Sequence, residues 1–134
     1  MVKPCVLIAE DEFLIAMDLE HVVQQLGYDI CGIATTAPEA VRLAESARPD
    51  LALVDVRLAR GTNGLDAVKD IRERLDVPSI VISGHIERSD AERAGARGWL
   101  RKPIAPDALA PLMSAVLSAA RGETPGQPPT DFIP

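Results

Sequence analysis

The sequence predicts an α/β fold in which a five-stranded parallel sheet is covered by helices on both faces. Short apolar runs typical of strands alternate five times with longer stretches whose apolar residues recur every three or four positions, the spacing of one helix face. One run, residues 51–54, is continuously apolar, which is typical of a strand buried on both sides. Because right-handed helical crossovers join parallel strands, this alternation predicts a doubly wound (βα)5 sheet.

The first two strands are predicted at residues 5–9 and 29–34, on either side of an amphipathic helix. The apolar residues of that helix recur at helical spacing and are Ile15, Leu19, Val22 and Leu26. Gly27 is well placed to end the helix, because glycine readily adopts the left-handed conformation common after a last helical turn.

The second helix is predicted to begin after Thr36, a residue type that caps helix N-termini. Glu39 stands three residues further on, as in a capping box. The helix runs to about residue 47, because Pro49 forbids its continuation. The buried strand at 51–54 follows.

The second half of the chain repeats the alternation. A third helix has one apolar stripe, formed by Leu65, Val68, Ile71 and Leu75. A fourth strand at 79–82, a short polar helix at 87–94 and a fifth strand at 99–100 come next. The last helix is predicted from about Pro106, a residue type favoured in a first helical turn, to Ala120.

The chain after this helix has a different composition. Residues 122–134 contain four prolines and two glycines. So few apolar side chains offer little surface to pack, which predicts a flexible tail. We therefore expect one domain at 1–121 and a tail at 122–134.

Charge and hydropathy exclude some classes of function. The net charge of −6 repels the phosphate backbone, so we expect no nucleic-acid partner. The longest apolar runs are too short to span a bilayer, and no secretory signal is apparent, so we expect no membrane association and a cytoplasmic location. Cys5 and Cys31 stand inside apolar runs, and we expect both to be small buried side chains rather than a disulfide.

Polar residues follow four of the five predicted strands: Glu10 and Asp11, Asp55, Ser83, and Lys102. Ligands of such folds gather beyond the carboxyl ends of the strands, so these side chains are expected at one edge of the sheet. Crowded carboxylates repel one another unless a cation separates them, and oxygen ligands suit Mg²⁺. A carboxylate nucleophile beside a metal and a lysine is suited to holding a phosphoryl group.

Four segments resemble the signature of receiver domains of bacterial response regulators, in the same order and with the same spacing. They are residues 6–11 (VLIAED), 51–55 (LALVD), 82–84 (ISG) and 99–103 (WLRKP). The resemblance extends over residues 3–121. It implies a flavodoxin-like sheet with the strand order 2-1-3-4-5.

The resemblance also implies a phosphoacceptor and a metal site. Asp55 matches the aspartate that takes the phosphoryl group. Asp11 matches the acid that binds Mg²⁺ directly, with Mn²⁺ as a substitute, and Glu10 matches its neighbour that acts through water. Asp55 and the backbone carbonyl of Arg57 match two further ligands of the metal in this family.

Three further positions match residues that respond to the phosphoryl group. Ser83 matches the hydroxyl that moves to bond it, and Lys102 matches the lysine that pairs with one of its oxygens. Trp99 matches an aromatic residue that switches between exposed and buried positions. The bond between Lys102 and Pro103 is commonly cis in such domains. A receiver of this kind is not an enzyme toward other substrates and catalyses only its own phosphorylation and dephosphorylation.

The chain departs from the family pattern at four positions. Glu10 stands where Asp is commoner, and its longer side chain is still expected to reach a metal through water. Ala59 replaces a proline, Gly84 replaces an alanine and loosens the backbone beside Ser83, and Trp99 is bulkier than the usual Tyr or Phe. None of these changes removes a required functional group.

The implied partners are a histidine kinase or histidine phosphotransfer protein as donor, and a downstream protein target. The last helix has more apolar positions than one inward stripe needs, which suggests a partner surface or a homodimer through this helix. These positions are Leu109, Leu112, Met113, Val116 and Leu117. Two alternatives stay open: an interaction module that works without phosphorylation, and a regulatory domain cut from a larger transcription factor.

Three other functions with related chemistry fit less well. A flavodoxin-type carrier needs hydroxyls and N–H groups after the first strand, whereas residues 10–12 are all acidic. A phosphatase of the haloacid dehalogenase type needs a second Asp where Arg57 stands. A serine hydrolase needs Gly-x-Ser-x-Gly, and no such motif surrounds Ser83.

Overall fold

The computed structural model describes residues 2–124 and 126–134. In these residues five strands alternate with five α-helices, in the order β1 (Cys5–Ala9), α1 (Phe13–Gln25), β2 (Asp29–Ala34), α2 (Ala37–Ala47), β3 (Leu51–Asp55), α3 (Gly64–Leu75), β4 (Ser79–Ser83), α4 (Arg88–Ala94), β5 (Gly98–Arg101) and α5 (Pro106–Ala120). A short 3-10 turn, Ala59–Gly61, lies between β3 and α3. The strands pair in parallel in the order β2-β1-β3-β4-β5, which confirms the predicted fold and strand order.

Alternate side chains of the central strands enter two separate cores. Leu7, Val54 and Val81 pack with residues of α2 and α3 on one face of the sheet. Ile8 and Leu53 pack with residues of α1 and α5 on the other face. Because β1, β3 and β4 are covered on both faces, their chemistry-bearing residues can stand only at the strand ends.

The predicted cap of α2 is confirmed at Thr36, whose Oγ1 accepts a hydrogen bond from the Glu39 N–H at 3.2 Å. The reciprocal half of the capping box differs from the prediction. Oε1 of Glu39 accepts from the N–H of Thr35, one residue earlier, at 2.6 Å. The two residues therefore bond two different N–H groups at the start of the helix.

The prediction of a partner surface on α5 is wrong for the residues that suggested it. All of these apolar side chains are buried within the chain: Leu109, Leu112, Met113, Val116 and Leu117. They belong to the core that also contains Leu19 and Val23 of α1 and Phe132 beyond α5. The stripe is wide because the helix packs against the sheet and against these neighbours.

The predicted flexible tail is wrong for residues 131–133. Phe132 forms an antiparallel bridge with Gly98 of β5. The side chains of Phe132 and Ile133 are buried, and these residues are only 8% and 7% exposed. The low apolar content of the whole segment concealed two adjacent apolar residues that are sufficient to anchor its end.

Three large apolar side chains near the start of α1 are exposed. Met17 is 47% exposed, because α1 turns it away from the sheet. Phe13 and Leu14 are both 74% exposed, and with Met17 they form what we call the α1 patch. Cys5 and Cys31 are half-buried rather than fully buried, and both thiols are free. Within the described residues, no helix combines the length and apolarity that crossing a membrane requires.

Candidate functional site

Three carboxylates meet at the carboxyl end of the sheet. Glu10 and Asp11 follow β1, and Asp55 is the last residue of β3, the neighbouring strand. One oxygen from each lies within 4.8 Å of the other two. Such a set of hard oxygen donors fits Mg²⁺ or Mn²⁺, as predicted from the sequence.

Lys102 connects two of these carboxylates. Its Nζ donates to Oε1 of Glu10 at 2.9 Å and to Oδ2 of Asp55 at 2.8 Å. The other oxygen of Glu10, Oε2, accepts from the N–H of Glu12 at 3.1 Å. With 1% exposure, the Glu10 side chain is almost entirely enclosed, so each of its oxygens has a partner where water cannot serve.

The electrostatics of the site follow from this burial. Burial raises the pKa of Glu10 above its ordinary value, although the hydrogen bonds from Lys102 and from the Glu12 N–H oppose the shift. For Lys102, burial alone lowers the pKa, but the bonds to Asp55 and Glu10 outweigh it, so its pKa is raised overall. Lys102 therefore stays an ammonium, and the site holds a fixed positive charge.

Ser83 ends β4 and is buried, with 1% exposure. Its Oγ accepts hydrogen bonds from the N–H groups of His85, at 3.0 Å, and Ile86, at 3.3 Å. These bonds fold the loop between β4 and α4 over the hydroxyl. The hydroxyl hydrogen is not used by either bond and can be donated elsewhere.

The loop after Asp55 is held by a close backbone approach. The N–H of Gly64, the first residue of α3, donates to the carbonyl of Val56 at 2.7 Å. Within this loop Arg57 forms an antiparallel bridge with Asn63, and its side chain is exposed. The carbonyl of Arg57 thus lies in a loop that is held by the hydrogen bond from Gly64 to Val56 and by the bridge to Asn63.

Trp99 lies in β5, paired with Val81 of β4, and is partly buried. The guanidinium carbon of Arg101 lies 5.2 Å from the centroid of the Trp99 ring, within the range of a cation–π interaction. The sequence did not predict this contact. Among residues 2–124 and 126–134, no group accepts a hydrogen bond from the buried Nε1 of Trp99. The peptide bond between Lys102 and Pro103 is cis.

The structure therefore brings Glu10, Asp11, Asp55 and Lys102 together. It places Ser83 at the neighbouring strand end, with its oxygen engaged by its own loop. Gly64 and Glu12 contribute backbone contacts that the sequence analysis did not assign to the site.

Comparison with known proteins agrees with this geometry. The family model of the response regulator receiver domain matches residues 6–114. The chain is 45% identical, over 114 residues, to the phyllosphere-induced regulator PhyR of Methylorubrum extorquens. The alignment covers 84% of this chain and 43% of that protein. It is 40% identical, over 119 residues, to the transcriptional regulatory protein PdtaR of Mycobacterium tuberculosis, covering 87% of the chain and 58% of PdtaR. The chain thus spans about half the length of these relatives.

Solved structures show the same fold. The receiver domain of a modulated diguanylate cyclase from Desulfovibrio desulfuricans superposes with a TM-score of 0.82 at 33% identity, covering 89% of this chain and 97% of that one. PhyR from Brucella abortus gives a TM-score of 0.78 at 34% identity, covering 90% of this chain and 50% of that one. With the matched family model and these relatives, the chain belongs to the response regulator receiver domain family and is a phosphorylatable receiver of two-component signalling.

Proposed function

We propose that Asp55 accepts a phosphoryl group from a phosphohistidine and that Glu10, Asp11, Lys102 and Ser83 serve this transfer. One observation carries the proposal: a single ammonium, that of Lys102, bridges Glu10 and Asp55 inside the cluster of three carboxylates. Three acids with one half-buried cation retain an excess of negative charge. Such a site needs a further cation before another anion can approach.

The chemistry is a displacement at phosphorus. An oxygen of Asp55 forms the new O–P bond as the N–P bond to the donor imidazole breaks, and the imidazole leaves with the electron pair. A Mg²⁺ or Mn²⁺ ion held by Asp11, Asp55 and the carbonyl of Arg57, with Glu10 acting through water, would offset charge on the transferred group. Lys102 turns from Asp55 to a phosphoryl oxygen and remains charged throughout.

Ser83 acts after the transfer in this proposal. Its hydroxyl hydrogen is available to a phosphoryl oxygen, but its oxygen holds the N–H groups of His85 and Ile86. Movement of Ser83 toward Asp55 therefore pulls on the loop between β4 and α4. Trp99 then turns into the space that Ser83 leaves, and the protein surface around β5 changes.

The α1 patch is suited to the phosphodonor. Phe13, Leu14 and Met17 are exposed at the start of the helix that follows Asp11. Beside them a groove of about 410 Å³ runs between α1 and the residues after β5, with Ile15, Lys102 and Ile104 among its walls. A helix of a histidine kinase or phosphotransfer protein packed here would bring its phosphohistidine to the edge where Asp55 lies.

The output of the proposed receiver is a protein contact. One matched structure, PhyR from Bartonella quintana, is described as an anti-anti-sigma factor, and the chain covers 50% of it at 34% identity. We accordingly propose a downstream protein target and no nucleic-acid partner, a signalling rather than an enzymatic role toward other substrates, and a cytoplasmic location. Control of an output domain in a longer protein is equally compatible with the site.

The test uses acetyl phosphate as a small phosphoryl donor and beryllofluoride as a mimic of the bound phosphoryl group. With Mg²⁺, wild-type protein is expected to gain the mass of one phosphoryl group and to change the fluorescence of Trp99, its single tryptophan. Asp55→Asn, and wild type with EDTA, should show neither change. Equal responses of wild type and Asp55→Asn would reject Asp55 as the acceptor, and a response without metal would reject the role of the acidic cluster.

A further inference from the structure

The outer edge of β5 is occupied by the chain's own segment beyond α5. The N–H of Ile133 donates to the carbonyl of Arg97 at 2.8 Å, and the N–H of Trp99 donates to the carbonyl of Asp131 at 3.1 Å. Phe132 stands opposite Gly98 between these two bonds. Residues 131–133 therefore pair with the edge of the parallel sheet through an isolated antiparallel bridge.

The two apolar side chains of this segment enter different cores. Phe132 packs with the core of α1 and α5, and Ile133 with that of α2 and α3. A side chain at position 98 would meet Leu112 of α5 at 3.0 Å, so Gly98 lets α5 pack closely on the face of β5 at the position that pairs with Phe132. The edge is shaped to receive an extended peptide with two adjacent apolar residues.

Arg88, in the first turn of α4, holds the main chain of the segment. Its guanidinium donates to the carbonyl of Thr130 and, at 2.7 Å, to the carbonyl of Phe132. Its Nε also donates to Glu92 at 3.0 Å, which fixes the side chain in place. Because Arg88 bonds carbonyl groups rather than side chains, it can accept another peptide in the same orientation.

The attachment is small enough to open. Two backbone hydrogen bonds to β5, one arginine and two apolar side chains hold the segment, and the preceding residues 126–128 are exposed. Short elements with few buried contacts open locally at a lower free energy than the whole domain. Trp99 adds to this, because its buried indole N–H has no acceptor among the described residues, and a buried donor without an acceptor is destabilising.

We propose that residues 130–134 are a displaceable cap on β5 and that the edge beneath the cap binds an extended apolar segment of a partner protein by strand addition. In the closed state the cap excludes that segment. A tethered strand competes at a high effective concentration, so it can suppress a partner strongly without binding tightly itself.

The cap is also placed to respond to the phosphorylation site, a part of the inference that rests on the proposed function. Trp99 and Ile133 pack in the same core, and the backbone N–H of Trp99 donates to the carbonyl of Asp131, within the cap. If Trp99 turns toward the space vacated by Ser83, it withdraws from Ile133. Phosphorylation is then expected to loosen the cap.

The first experiment measures binding of a fluorescein-labelled synthetic peptide of residues 126–134 to the full chain by anisotropy. The double variant Phe132→Ser/Ile133→Ser, whose cap is released, should bind the peptide at least tenfold more tightly than wild type. Gln127→Ser, at an exposed position of the same segment, should behave as wild type. Adding Arg88→Ala to the double variant should weaken binding, whereas adding Arg93→Ala, an exposed arginine of the same helix, should not. Equal affinity of wild type and double variant would overturn the proposal, and so would binding insensitive to Arg88.

The second experiment needs no variant that could misfold. Amide hydrogen exchange of wild type should show the Trp99 N–H, bonded to the cap, exchanging at least a hundredfold faster than the Lys102 N–H, bonded to Ser83. Equal rates for the two amides would mean that the cap opens only with the whole domain, which contradicts a displaceable cap.

Repeating the exchange with Mg²⁺ and beryllofluoride separates the cap from the proposed function. The Trp99 amide is expected to exchange faster in wild type and at an unchanged rate in Asp55→Asn. Altered exchange at Lys102 without any at Trp99 would overturn the coupling while leaving the phosphoacceptor in place. No change at either amide, in protein that gains the mass of one phosphoryl group from acetyl phosphate, would also overturn the coupling, whereas absence of that mass gain would count against the phosphoacceptor.

Discussion

The carbonyl oxygen of Asp55 lies 1.9 Å from the point where a Cβ on Gly64 would stand. The first residue of α3 is thus pressed against the backbone of the proposed phosphoacceptor, and its N–H bonds the next carbonyl, that of Val56. The helix start and the end of β3 form one rigid corner. The position of Asp55 consequently depends on the absence of a side chain nine residues later.

Gly64→Ala is expected to displace the end of β3 and to reduce phosphorylation by acetyl phosphate at least tenfold. We also expect it to lower the free energy of unfolding by about 2 kcal/mol or more, because backbone has to move to relieve the overlap. Urea unfolding and intact mass would measure both effects.

Gly84→Ala is the matched control, since a Cβ there meets no described atom within 4 Å and the backbone is not left-handed. It should leave phosphorylation intact and raise stability by roughly 0.4–1 kcal/mol through the unfolded chain. Equal effects of the two substitutions would contradict the role assigned to Gly64.

Lys102→Met is expected to lose more than its phosphoryl contact. It leaves the enclosed Glu10 carboxylate without its cation, which should raise the pKa of Glu10 further and cost about 1–3 kcal/mol of stability near neutral pH. Adding Glu10→Gln should recover part of the loss, because the amide carries no charge to compensate. Urea unfolding of the two single variants and the double variant measures the coupling, and additive effects would show that the pair does not interact.

Replacing both Arg57 and His85 by small residues is expected to shorten the life of the aspartyl phosphate. These side chains stand two positions after Asp55 and two after Ser83, and both are exposed. We expect their bulk to hinder the water that attacks the aspartyl phosphate. The rate of phosphate loss after removal of acetyl phosphate is the measurement, and an unchanged or longer lifetime would contradict the hypothesis.

Cys31 is expected to resist alkylation in the folded protein. Burial, aided by the neighbouring Cys5, raises the pKa of the Cys31 thiol to about 12. Because the thiolate is the reactive form, iodoacetamide should modify Cys31 at pH 8.5 roughly a thousandfold more slowly than in urea-unfolded protein. Peptide mapping after timed quenching distinguishes it from Cys5, and equal rates in the two states would contradict the shift.

The same shift has a consequence for stability. The folded protein holds this proton more tightly than the unfolded chain, whose thiol has a pKa of about 8.5. The stability that this proton contributes to the folded state is therefore fully present below about pH 8.5 and is lost as the pH rises toward the folded pKa of about 12. Cys31→Val should accordingly lose less stability than wild type between pH 8 and pH 11.

Local sequence determined the strands, the helices and the strand-end residues of this protein. Helical spacing and apolar runs depend on near neighbours, and parallel pairing brings strand ends to one edge. For this reason Glu10, Asp55 and Lys102, far apart in the chain, could be predicted to lie together. Thr36 was assignable as a cap because its acceptor reaches only three residues ahead.

Only the tertiary structure decided which apolar side chains are buried. Leu117 is buried and Met17 exposed, although each stands on an amphipathic helix, because only the packing of α1 and α5 determines which sides of the helices are covered. Phe132 and Ile133 fold back onto β5, more than thirty residues earlier in the chain, where β5 is the last strand of the sheet and Arg88 supplies donors. Strand addition depends on an unpaired edge elsewhere in the fold, and no property of residues 122–134 themselves encodes that edge.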